Sequence, residues 1–116
     1  MEARIAHFEI QGPEDGRIAA FYNLLLGWPT APRGPGYTLI DGEATGIGGA
    51  IADAPEERIV LGVSVSDLDA TVARVTELGG EVLMPPTNNG WVTKAIVKDP
   101  AGNHLSLISQ HGSGGR

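Results

Sequence analysis

Residues 4–28, RIAHFEIQGPEDGRIAAFYNLLLGW, hold the pattern that decides the fold. Arg4 to Gln11 alternates: Ile5, His7, Glu9 and Gln11 fall on one face of a strand, and Ala6, Phe8 and Ile10 fall on the other. Gly12-Pro13 stops the strand. Glu14 and Asp15 then stand where the positive end of a helix dipole favours acidic groups. Ile18, Phe21, Tyr22, Leu25 and Leu26 follow at helical spacing and predict a buried stripe. Gly27 ends the helix, since glycine accepts the left-handed backbone that a helix C-terminus adopts.

Downstream, Trp28 to Pro32 reads as a short extended piece and Gly36 to Asp41 as a strand. Asp41-Gly42 reads as a turn, and Gly46 to Ala52 as a glycine-rich strand. After a linker at about Asp53 to Arg58 the order begins again. Ile59 to Val65 is a strand. Ser66 or Asp67 caps a helix whose buried stripe is Leu68, Val72, Val75 and Leu78, and Gly79-Gly80 closes it. Glu81 to Met84 is a strand halted by Pro85-Pro86, and Asn89-Gly90 signals a hairpin. Trp91 to Lys98 and His104 to Ser109 are the last strands, joined by the turn Asp99-Pro100-Ala101-Gly102-Asn103. The order β-α-β-β-β therefore occurs twice, as an internal duplication. Neither half is large enough to bury a comfortable core alone, so one α+β domain is expected over residues 1–111, with modules at about 4–52 and 59–110. Residues 112–116, glycine-rich, read as a flexible tail.

Composition narrows the function. The chain of 116 residues is 41% hydrophobic and 19% charged, which places it with globular proteins. Its net charge of -6, with no basic stripe, argues against a nucleic-acid partner and against docking on anionic lipid. The absence of cysteine excludes disulfides, thiolate metal sites and cysteine nucleophiles. No apolar run approaches the roughly 20 residues of a membrane span, and no signal peptide is visible. A cytoplasmic protein is expected.

Several of these pieces resemble the vicinal-oxygen-chelate superfamily, which includes glyoxalases, bleomycin-resistance proteins and extradiol dioxygenases. They are His7-Phe8-Glu9-Ile10, Ala20-Phe21-Tyr22, Leu26-Gly27-Trp28, Val65 to Ala70, Leu78-Gly79-Gly80, and Asp99 to Asn103 with the strand after it. The resemblance implies two βαβββ modules forming a curved, cup-shaped mixed sheet with helices outside. It implies a homodimer and a small-molecule ligand. In metal-using members, about four protein ligands hold one divalent ion. The first of these positions falls on His7, a competent ligand. The second falls within Ile47 to Ile51, the third on Ile59 or Leu61, and the last on Ser106. Three of the four are missing, so no divalent metal and no other cofactor is expected.

The candidate site follows from the cup. His7 and Glu9 share a strand face and form a candidate acid/base pair; the bland alternative is ordinary hydrogen bonding on a sheet surface. His104 and Ser106 share a face of the last strand as candidate ligand-binding residues, but Ser106 has no triad partners. Trp28, Tyr37, Trp91 and Met84 are candidate walls for an aromatic ligand, with core packing as the alternative. Gly46-Ile47-Gly48-Gly49-Ala50 lacks the Lys-Ser/Thr pair and following helix of a phosphate loop. The leading reading is a small-molecule-binding module without a metal. The alternative is a lyase, isomerase or dioxygenase with a divergent metal site or with metal-free acid/base chemistry. A third is an interaction subunit whose cup its own side chains fill. Lyase action on the glutathione hemithioacetal of methylglyoxal is not expected, because it needs the metal as Lewis acid.

Overall fold

The computed structural model describes residues 3–90 and 92–109. The chain forms two compact units, one of His7–Val60 and one of the described residues on either side of that segment. The elements of the first half are β1 (Ala3–Gly12), α1 (Asp15–Leu26), β2 (Thr30–Pro32), β3 (Tyr37–Ile40), α2 (Gly42–Thr45) and β4 (Gly49–Asp53). Those of the second are β5 (Arg58–Val65), α3 (Leu68–Ala73), β6 (Glu81–Asn88), β7 (Thr93–Lys98) and β8 (His104–Ser109). This is an α+β fold. None of its described helices is long and apolar enough to cross a membrane.

The duplication is visible in the pairing. In the first half the strand order is β2-β3-β4-β1, with β4 parallel to β1 and antiparallel to β3. In the second it is β6-β7-β8-β5, with β8 parallel to β5 and antiparallel to β7. First and last strands of each module thus run side by side, and a helix crossover makes the parallel connection feasible.

Each sheet buries one face under its own helix. Ile10, Ile40 and Ile51 pack against Ala19, with Phe8, Ile18, Tyr22 and Trp28 around them. Val65, Ala95, Val97 and Leu107 pack against Leu68, joined by Val72 and Val75. Glycine makes one of these contacts: any Cβ on Gly49 would run into the Phe8 ring, so this glycine at the start of β4 is a packing device.

The helix ends follow the expected chemistry. Gly27 is left-handed at φ 75° and its N–H donates to the Asn23 carbonyl at 2.8 Å. Asp67 caps α3 by accepting from the Ala70 N–H at 3.0 Å. At the start of α1, Glu14 has φ 61° and donates its N–H to Asp53 Oδ1 at 2.7 Å.

Four expectations need correction. Asp41-Gly42 opens the helical turn α2, because the Asp41 carboxylate accepts from the Glu43 N–H. β6 does not stop at Met84 but runs past Pro85-Pro86 to Asn88. Among the described residues it pairs only with β7, and an edge strand tolerates prolines where the ladder is broken, here between Met84 and Thr87. Leu78 is exposed, because α3 ends at Ala73 and turns carry the chain onward. Phe21, Leu25 and Leu26 are likewise exposed, because Ile18, Ala19 and Tyr22 already fill the face that α1 turns to its sheet.

Candidate functional site

In the first unit, Phe8 and Ile10 belong to the core under α1, so the alternation of β1 turns His7, Glu9 and Gln11 to the opposite face. The register extends this face across the sheet. Glu9 stands beside Ala50 and then Leu39; Gln11 stands beside Ala52 and then Tyr37. With strands about 4.8 Å apart, each β1 side chain is separated from its β3 counterpart by roughly 10 Å, and only an alanine methyl lies between. Ala50 is fully buried and Ala52 half-buried, so the open part of this shallow floor is the row Gln11–Ala52–Tyr37.

The polar groups on this face are connected. Gln11 Nε2 donates to Glu9 Oε2 at 2.7 Å, and Arg58 Nη1 donates to Gln11 Oε1 at 3.4 Å. Arg58 Nη2 also donates to Glu56 Oε1 at 3.1 Å. The amide of Gln11 thus fixes the Glu9 carboxylate and is itself held by a guanidinium, an arrangement that restricts rotamers on both sides. Across the floor, burial first and the Glu9 carboxylate second push the Tyr37 phenol above its usual range. Tyr37 therefore stays neutral and able to donate at physiological pH. The face offers an acceptor (Glu9), a donor (Tyr37) and an apolar patch between them.

In the second unit, Val63, Leu105 and Val82 are packed against the core under α3. The opposite face carries the row Met84–Ile96–Ser106–Gly62, while His104 lies beside Lys98. Met84 reaches this face because the register shifts between Val82 and Met84; without that irregularity, two residues along a strand would share a side. Met84, His104 and Ser106 are all half-buried.

The expected wall residues divide. Tyr37 shares the face of His7 and Glu9. Trp28 does not: it stacks on Tyr22 at 5.5 Å and 10°, touches Phe8 at 6.0 Å, and packs with the core under α1. Trp91 lies outside the described residues. Two site residues, Gln11 and Arg58, were not among the sequence candidates. Gln11 was signalled by its place two residues after Glu9; Arg58 was read as linker, and no local pattern ties it to β1.

The donor set does not fit the divalent-ion site that the resemblance implies. Among the described residues, no three His, Asp or Glu side chains converge closely enough to share an ion. The first face supplies only two such donors, His7 and Glu9. Oxygen- and nitrogen-seeking divalent ions need more donors than this in one place.

The family model described as a glyoxalase-like domain matches residues 8–108. No curated protein sequence matches the chain significantly. Among solved structures, it resembles a glyoxalase/bleomycin resistance protein/dioxygenase superfamily member from Vibrio splendidus (TM-score 0.71, 13% identity, covering 94% of this chain and 100% of that one). It also resembles methylmalonyl-CoA epimerase from Mycobacterium tuberculosis (TM-score 0.66, 15% identity, 90% and 85% covered). A third is the Mn(II)-bound glyoxalase from Novosphingobium aromaticivorans (TM-score 0.65, 20% identity), of which the match covers 93% of this chain but 38% of that one. At such identities the likeness is one of fold, and this fold carries unrelated chemistries.

Proposed function

Because the chain belongs to the glyoxalase-like domain family, we propose that it is a small-molecule-binding member that captures its ligand on the sheet face turned away from α1, without a divalent metal. The observation that carries this reading is the Glu9–Gln11–Arg58 chain facing a neutral Tyr37 across a methyl-sized floor. A ligand that suits it has a flat apolar body over Ala52, a donor for Glu9 and an acceptor for the Tyr37 hydroxyl. Hydroxylated aromatic compounds meet all three requirements. The polar groups are few and held in place, as in sites that orient a ligand. The same proposal includes a cytoplasmic setting, for which a cysteine-free chain is suited, and self-association into a homodimer.

The test is a thermal-shift screen of hydroxylated aromatic compounds in the presence of a chelator, followed by calorimetric affinities for any hit. A ligand stabilises the state it binds, so at least one compound is expected to raise Tm with metals removed. Glu9→Gln is expected to weaken that binding about 10- to 100-fold, the usual worth of a hydrogen bond to a charged group. Stabilisation that appears only with added metal, or affinities unchanged by both Glu9→Gln and Tyr37→Phe, would refute the proposal. A second reading, a lyase or isomerase moving protons between His7 and Glu9, draws on their shared face. Turnover of a bound compound that vanishes in Glu9→Gln with binding retained would favour it.

A further inference from the structure

α1 is apolar on two faces, and only one of them meets the sheet. The helix has only two charged residues, Asp15 and Arg17. Ile18, Ala19 and Tyr22 meet the sheet, yet Phe21, Leu24 and Leu25 remain 56%, 84% and 64% exposed. A helix that is apolar nearly all round is normally covered on both sides, and contiguous exposed apolar groups mark interaction surfaces.

The occupant follows from how this face is shaped. Positions 14, 18, 21 and 25 follow steps of four, three and four, and positions 17, 21 and 24 steps of four and three, so together they form one stripe along the helix. Its N-terminal half is a depression of about 410 Å³ lined by Pro13, Glu14, Arg17, Ile18, Phe21 and Tyr22. Its C-terminal half carries the protruding Leu24 and Leu25. Knob and hollow therefore lie on the same helix, about 10 Å apart at 1.5 Å per residue. A two-fold axis passing near Phe21 superposes each copy's leucines on the other copy's hollow, as an isologous contact requires. It also sets Arg17 of one copy at the end of the other's α1, where the last turn has no basic residue of its own and the helix dipole is negative.

We propose that α1 is the centre of a two-fold interface with a second copy of this chain, packed antiparallel, with Leu24 and Leu25 of each copy seated in the hollow beside Arg17 and Ile18 of the other. The proposal rests on the self-association put forward above, and it names the surface. It stands apart from the ligand-binding face, which lies on the other side of the sheet from α1.

Light scattering on the full chain at micromolar concentration tests it. The wild type is expected at twice the 12.1 kDa chain mass, and Leu24→Glu at the single-chain mass with an unchanged circular dichroism spectrum. A monomeric wild type would sink both self-association and this surface. A dimeric wild type with an equally dimeric, folded Leu24→Glu would leave the dimer standing and overturn the surface. Should Leu24→Glu fail to fold, Phe21→Cys decides: the chain has no other cysteine, and a thiol near the axis is expected to give a rapid disulfide-linked dimer on mild oxidation. No such disulfide would overturn the surface.

Discussion

Tyr37 and Glu9 give the candidate site a measurable signature. Tyr37 sits above the ordinary tyrosine range because it is half-buried and faces the Glu9 carboxylate. Between the unfolded value near 10 and the higher folded value, the unfolded chain loses a proton that the folded chain keeps. The stability contributed by neutral Tyr37 is therefore fully present below pH 10 and falls as pH rises through the folded pKa. Ultraviolet titration of the phenol, read as the difference between wild type and Tyr37→Phe, is expected to show this late ionisation. Glu9→Gln is expected to move it down toward 10 without fully restoring it, because burial, the larger cause, remains. An unchanged midpoint in Glu9→Gln would contradict the closeness of the two groups. This face was partly legible in the sequence, since strand alternation alone set His7, Glu9 and Gln11 together. Arg58 and the separation of Trp28 were not legible, because both depend on which elements meet in space. Trp28 follows a helix end and carries no periodic signal; its place was fixed by Tyr22 and Phe8, six and twenty residues away in the chain.

At the scale of elements, turn and cap chemistry was a good guide where a carboxylate fixes the backbone. The Asp99–Asn103 turn is held by the Asp99 carboxylate, which accepts from the N–H groups of Ala101 and Asn103 and from the Asn103 side chain. Those bonds, the side-chain one foremost, hold Asp99 below its usual value. Asp67 does the same work for α3, which has six residues and little cooperativity of its own. Asp67→Ala is expected to cost about 0.5–2 kcal/mol in urea-monitored stability. Asp67→Asn, which keeps the acceptor, is expected to cost much less; equal losses would show that the cap is not the cause. Where the reading of elements failed, local rules met a tertiary setting that relaxed them. Pro85-Pro86 would break a central strand but not an edge one, so β6 continues. In α1 the spacing of apolar residues was right, but it describes two stripes, and periodicity does not say which one the sheet takes. Ile18, Ala19 and Tyr22 won because they face β1, β3 and β4 once Gly27 turns the chain back.

For the whole molecule, the duplicated order β-α-β-β-β was legible because each module repeats the same punctuation: strand, acidic cap, apolar helix, glycine, three strands. The pairing confirms it, with first and last strands parallel in both halves. The chemistry was less legible, because family membership fixes a scaffold while function depends on a handful of side chains. At the positions where the resemblance sets the metal ligands, this chain has aliphatic residues and a serine besides His7, and His7 shares its face with a Glu9 that accepts from Gln11 through one oxygen. Ligand capture without a metal depends on a polar, hydrogen-bonded face standing in place of an ion. Metal content by mass spectrometry, after the protein is incubated with nickel, zinc and manganese and desalted, tests it most directly. Far less than one ion per chain is expected, unchanged in His7→Ala. One tightly held ion per chain, lost in His7→Ala, would contradict metal-free capture.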